Sequence, residues 1–212
     1  MTRPPNPELV QRIRETVADL VAEKGADGTT IREVAERTGV TTTTIHYYYK
    51  DKATLLESAK LSAIVALDAH VASSIDPNES PRRQLAALAR ALMEWSVSHP
   101  HEFMIVFEKL PPYVELTEET IATYYATYVR AVEIFHRGVA AGELRECDAE
   151  LAIASGFCWL YGIVNLYLNK RLPPQYWEDP GPLMSWFLEQ FLASVAVPAR
   201  EEHPAPRRGA HK

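Results

Sequence analysis

Apolar residues recur along this chain at spacings of three and four. Leu9, Ile13, Val17, Leu20 and Val21 follow that rhythm, as do Leu85, Leu88, Leu92 and Trp95, and again Ile121, Tyr124, Tyr125, Tyr128, Val132, Phe135 and Val139. Residues so spaced share one face of a helix, so each run predicts a helix with one side turned to a core. Nowhere does the sequence sustain the strict alternation of a half-buried strand. The 15 prolines fall at 4, 5 and 7, at 77, 81, 100, 111 and 112, at 173, 174, 180 and 182, and at 198, 204 and 206. Proline interrupts helix interiors and sheet ladders alike, which confines regular structure to the windows between. The pattern predicts helices at 8–24, 30–38, 42–48, 52–75, 81–98, 101–109, 117–140, 148–170 and 181–196, an all-α fold. Local signals agree: Pro81 suits a helix first turn, Thr117 before Glu118 and Glu119 suits an N-cap, and Gly142 suits a C-terminal stop.

Composition narrows the class further. At 212 residues with 47% apolar and 24% charged positions the chain can bury a sizeable core, which excludes fibrous and wholly disordered readings. Two cysteines, Cys147 and Cys158, cannot form a disulfide framework and point to a reducing, cytoplasmic setting. The N-terminus shows no apolar stretch of the signal-peptide kind. The net charge of -6 argues against a polyanion partner until its distribution is considered. Residues 1–52 carry eight basic and eight acidic side chains, whereas residues 53–212 carry 14 basic and 20 acidic ones. The acidic excess therefore lies wholly in the larger part, leaving the N-terminal part as the face suited to nucleic acid.

Residues 30–49, TIREVAERTGVTTTTIHYYY, have the grammar of a helix-turn-helix. Thr30 and Glu33 stand at capping-box spacing. Val34 is apolar and Ala35 small where two helices cross, Gly39 can adopt the left-handed turn, and Val40 and Ile45 fill the space beneath. The next helix opens with Thr41 as N-cap, and its second face shows Thr42, Thr43, His46 and Tyr47 with no carboxylate. Hydroxyls and a threonine methyl can read base edges in a major groove, while Tyr and His tips can reach phosphates. Lys50 and Lys52 flank the start of the following helix, where ammonium and free N–H groups favour a phosphate, and Arg32 points to the same partner. The plain alternative is a solvated polar face for the threonines and simple packing for the tyrosines, with Tyr49 the one expected in the core.

On these residues the chain resembles the TetR family of bacterial transcriptional regulators, closely over 8–60. The matching stretch reads Thr44, Ile45, His46, Tyr47, Tyr48, Tyr49 and Lys52. The resemblance implies Tyr48 and Lys52 as phosphate contacts, Thr42, Thr43, Thr44 and Tyr47 as groove readers, and Tyr49 as core. His46 stands where the family usually has tyrosine, and Tyr49 where it has phenylalanine. The organisation expected is an N-terminal three-helix DNA-binding domain at 1–52, a larger helical ligand-binding and dimerisation domain at 53–197, and a disordered tail at 198–212. The function implied is a homodimeric regulator, by family habit a repressor, that leaves a palindromic operator in double-stranded DNA when a small hydrophobic or aromatic effector binds.

Beyond residue 60 the residues speak more softly. The stretch 151–169 has no charged residue, yet Ser155, Tyr161, Asn165, Tyr167 and Asn169 interrupt it and no basic flank precedes it, so a partner-covered helix fits better than a membrane span. Phe157, Leu160, Tyr161 and Val164, with Leu183, Trp186, Phe187 and Phe191 of the last helix, are the expected dimer face, closing a four-helix bundle across a twofold axis. Trp95, Phe103, Phe107, Tyr113, Tyr124, Tyr128 and Trp159 are the aromatics expected to line an effector pocket, with ordinary core as the alternative for each. Glu94, Glu108 and Glu133 could counter a cationic ligand. His99 and His101 are too poor a set for a metal, no cofactor is expected, and thiol sensing at Cys147 has no further support. No nucleophile elbow, GxGxxG, P-loop or HExxH occurs, so the rival to a regulator is a helical small-molecule carrier, or an interaction protein with a structural helix-turn-helix, rather than an enzyme.

Overall fold

A computed structural model describes residues 6–107 and 117–197, which form nine α-helices and one short 3-10 turn. They are α1 (Pro7–Gly28), α2 (Ile31–Thr38), α3 (Thr42–Tyr48), α4 (Lys52–Ser73), α5 (Pro81–Ser98), α6 (Pro100–Val106), α7 (Glu118–Ala140), α8 (Ala149–Leu168) and α9 (Gly181–Val195). All nine helices expected from the apolar rhythm are there. The 3-10 turn at Pro174–Tyr176 was not anticipated; Trp177 clamps it by donating its indole N–H to the Leu172 carbonyl at 2.6 Å. The expected tail at 198–212 lies outside the described residues.

Helix ends follow from their capping residues. Asn6 accepts from the Leu9 N–H at 3.2 Å, and Pro7 occupies the first turn of α1, where a missing N–H costs nothing. Regular geometry in α1 ends at Gly25, whose φ of 76° only glycine adopts without strain, so the helix stops near the expected residue 24 and a short turn carries the chain to 28. Asp51 opens α4 by accepting from the Thr54 N–H at 2.8 Å, Thr117 opens α7 from the Thr120 N–H at 3.1 Å, and Asp148 opens α8 from the Leu151 N–H at 2.9 Å.

The buried residues form a single cluster running from Ile13, Val17 and Leu20 through Leu55 and Phe103 to Phe135, Val164 and Phe187. Residue 52 is therefore no break in the core. α1 packs on α2, α4 and α6, while α4 touches α5, α6 and α7, so α4 belongs to both halves. α5 lies at the centre of the larger half, in contact with α7, α8 and α9. At the far end the chain closes on itself: Arg145 N–H donates to the Val195 carbonyl at 2.8 Å and Val197 N–H to that of Glu143 at 3.3 Å.

α8 is long and apolar enough to cross a membrane by length and composition. It turns Ile153, Leu160 and Val164 into the protomer and leaves Leu151, Cys158, Trp159, Tyr161 and Leu166 outside. One apolar face is thus used and the other is bare.

Candidate nucleic-acid interface

The turn between α2 and α3 has the geometry its sequence demands. Gly39 sits at φ 70° and ψ 28°, its N–H directed to the Ala35 and Glu36 carbonyls, and Val40 N–H donates to Ala35 at 2.9 Å. Val34, Ala35 and Ile45 are buried beneath it. The capping box is only half formed. Thr30 accepts from the Glu33 N–H at 3.3 Å, but the Glu33 carboxylate pairs with Lys24 instead of returning to Thr30 N–H.

On α3 the hydroxyls divide by task. Thr41 accepts from the Thr44 N–H at 3.2 Å and shares a hydroxyl contact with Thr44 at 3.0 Å, so both are engaged in starting the helix, and Thr44 is half-buried. Thr42 and Thr43 are exposed, as are His46 and Tyr47. Tyr47 stands edge-on to Tyr48 with ring centroids 5.0 Å apart. Tyr48 accepts from the Asn6 N–H at 3.3 Å, which uses an oxygen lone pair and leaves its own proton for a phosphate. Tyr49 is buried, as the core reading required.

Two carboxylates of α1 and α2 are held in ion pairs. Arg37 grips Glu23 with two contacts of 2.7 and 2.6 Å, and Lys24 takes Glu33. The hydrogen bond from Arg37 holds the Glu23 carboxyl below the usual carboxylate range, as that from Lys24 does for Glu33, and Arg37 is raised in return. Asp51 is lowered as well, first by the Thr54 N–H at the α4 cap. Arg32 on α2 and Lys50 just after α3 are exposed. The Lys52 ammonium donates to the Asp27 carbonyl at 2.9 Å and ties α4 to the end of α1.

The expected effector aromatics do not gather as a set. Trp95 is buried and stacked on His99 at 4.9 Å, and Phe103 is equally buried. Phe107 and Tyr161, both partly exposed, lie 4.5 Å apart over Phe103. Tyr124 and Tyr128 reach protein partners, Glu57 and the Glu150 carbonyl. Trp159 is exposed and stacks on Phe187 at 5.4 Å, on the outer side of α8 and α9 rather than in the interior. Tyr113 and Glu108 lie outside the described residues. Glu94 and Glu133 are exposed, with Glu94 on the rim of a groove of about 550 Å³ between α5 and α9. His101 pairs with Asp19 of α1 at 2.7 Å.

The expected dimer residues also divide. Leu160, Val164 and Phe187 are buried within the protomer, Phe157, Leu183 and Phe191 are half-buried, and Tyr161 and Trp186 face outward. A groove of about 470 Å³ runs along that outer face, floored by Gly156 and Phe191. A Cβ at Gly156 would stand 3.2 Å from the Phe191 ring, so glycine permits the close approach of α8 and α9. Missed altogether was a polar seam between α4 and α7, formed by Glu57, Lys60 and Asp68 against Tyr124, Thr127 and Arg130. Its signal was present: charged residues stand in the buried phase of two apolar helices.

Known proteins share both halves of this architecture. The model for bacterial regulatory proteins of the tetR family matches residues 13–59, and that for the tetracyclin repressor-like C-terminal domain matches residues 85–191. A probable HTH-type transcriptional regulator, YttP of Bacillus subtilis, is 24% identical over 191 residues, covering 88% of this chain and 89% of its own. Among solved structures, a bacterial regulatory protein in the tetR family from Rhodococcus RHA1 superposes with a TM-score of 0.76 at 19% identity, covering 92% of this chain and all of its own. The fatty acid degradation regulator FadR from Bacillus halodurans gives 0.70 at 19% identity, covering 90% and 97%.

Proposed function

Because the chain belongs to the TetR family of bacterial regulatory proteins, we propose that this transcriptional regulator works as a homodimeric repressor released from a palindromic operator by a small apolar effector. The observation that carries the DNA half is the face of α3. Thr42, Thr43, His46 and Tyr47 are exposed together on α3, Arg32 on α2 and Lys50 after α3 are exposed as well, and the acids Glu23 and Glu33 are held by Arg37 and Lys24. The exposed Thr42 and Thr43 hydroxyls read base edges in the major groove, and the cations with Tyr48 fix the register on phosphates.

The dimer follows from the bare side of α8. Leu151, Trp159 and Leu166 with Trp186 of α9 form an apolar surface that water disfavours, and a second copy covers it with the same surface. A twofold dimer presents two α3 helices to two half-sites, hence the palindrome. Support for an apolar effector comes from Phe107 and Tyr161 over Phe103, and from the likeness in fold to a regulator of fatty acid degradation.

Selection of bound duplexes from a random library tests this reading. An inverted repeat should emerge, with two chains per duplex. Enrichment of single, asymmetric sites, or of no sequence at all, would contradict it.

A further inference from the structure

The groove of about 550 Å³ between α5 and α9 continues, through Arg90 and Leu192, into a second of about 490 Å³ at the start of α5. The two helices run in opposite directions along it, so the end beside Ser80 holds Leu192 and the far end holds Gly181. Its charges are segregated. Arg82, Arg83 and Arg90 line the first end, whereas Glu94, Asp179 and Glu189 line the second. Arg83 holds Glu79 at 3.0 Å, and Asp179 accepts from the Gly181 N–H at 2.8 Å. Among the described residues Arg82, Arg90, Glu94 and Glu189 make no ion pair, although Arg90 and Glu94 stand one turn apart on α5.

The described chain ends at the basic end of this groove. Glu143, which lines that end, accepts from the Arg82 N–H through its carboxylate at 3.1 Å and from the Val197 N–H through its carbonyl at 3.3 Å. The sequence that follows is PAREEHPAPRRGAHK, in which two acids, Glu201 and Glu202, precede two bases, Arg207 and Arg208. The groove has the complementary order, bases first and acids after. Spacing agrees as well. Arg82 and Glu94 are 12 residues apart on α5, or about 18 Å of helix. Glu201 and Arg207 are six apart, or about 19 Å of the extended chain that Pro204 and Pro206 favour.

We propose that this groove is the seat of the chain's own C-terminal segment, with Glu201 and Glu202 against Arg82 and Arg90, and with Arg207 and Arg208 against Glu94 and Glu189. In place of the disordered tail that composition alone suggests, the segment is a strap that covers Met93, Met184 and Leu188 and ties α9 to α5. Pro198 cannot extend α9, and Arg200, the one base ahead of the acids, falls next to Glu143. A small cation answers the acidic end alone and leaves Arg82 and Arg90 unmatched. Exposed ion pairs are weak one at a time. Tethered at Val197, however, the segment meets the groove at an effective concentration on the order of millimolar, so a few weak pairs acting together hold it. The proposal is independent of the DNA-binding reading, and either can fail alone.

The test is the distance between spin labels on Gln175→Cys and Ala210→Cys in the full-length chain carrying Cys147→Ser and Cys158→Ser, measured alone and diluted with excess unlabelled chain. A seated segment should give one narrow distance that survives dilution, whereas an unseated one spreads over about 20 Å. Arg207→Glu with Arg208→Glu should broaden the distribution, and so should Glu94→Lys with Glu189→Lys. Glu94 and Glu189 are exposed, so the fold is kept. All four substitutions together should narrow the distribution again, because the charges are then exchanged. A broad distribution in the unsubstituted chain would overturn the proposal, as would a narrow one that neither charge reversal broadens or that the combination fails to restore. A narrow distance lost on dilution would put a second copy's segment in the groove and overturn it equally.

Discussion

α3 and α8 both leave much of their surface uncovered, with opposite chemistry. α3 shows Thr42, Thr43, His46 and Tyr47; α8 shows Leu151, Cys158, Trp159 and Leu166. Polar groups on α3 already have water as a partner, so in the proposed contact DNA must exchange for that water, and the contact should be reversible and salt-dependent. Apolar groups on α8 have no such alternative, and a cover over them is favoured at all times. Under the proposed function, the first surface is one that can be left and the second one that stays closed.

The largest effect should come from breaking the closed surface. Trp186→Glu places a carboxylate on an exposed position of α9, so the protomer keeps its fold, while burial of the unpaired charge twice across a twofold axis costs about 3 kcal/mol or more. Sedimentation should show monomers, with operator affinity down about a hundredfold; an intact dimer would move the interface elsewhere. Next is Tyr47→Ala, where loss of a base contact worth about 1–3 kcal/mol should weaken cognate binding and relax sequence preference. Equal losses on cognate and scrambled duplexes would remove Tyr47 from the reading set. Lys50→Ala should act more evenly, weakening binding across sequences and lowering the salt slope by about one. A slope that stays fixed would place Lys50 off the phosphates.

Smallest is the effect of acid on the scaffold behind α3. Glu23 and Glu33 have folded-state pKa values below their ordinary 4.5, so their contribution is present above that value and is lost as pH falls through the depressed ones. Thermal melts should lose stability below about pH 4.5, and Arg37→Met should blunt that loss. An unchanged acid limb in the variant would deny the pairing a role.

How much of this was legible depended on the distance over which each feature is decided. Gly39 and Thr41 act on neighbours three or four residues away, so the turn and the start of α3 could be read from spacing alone. Thr44 shows the limit even there, since the spacing that marks Thr41 as a cap does not say that the Thr44 hydroxyl joins it. Lys52 and Asp27 are 25 residues apart, and no local pattern announces their contact. In the larger half the same ambiguity governs every aromatic. Helical spacing puts Trp95, Phe103 and Trp159 on apolar faces, but which neighbour covers each face is set by packing, and it sends the first two to the core and the third outward. Glu57 and Asp68 were readable as charges in a buried phase; their partners on α7 were not.

The most direct measurement is titration of the wild-type chain into a selected duplex and a scrambled one at two salt concentrations. Tight binding to the selected duplex alone, two chains per duplex, weakening steeply as salt rises, is the predicted result. Equal affinity for both duplexes would contradict the account, because the α3 face would then hold phosphates without reading bases.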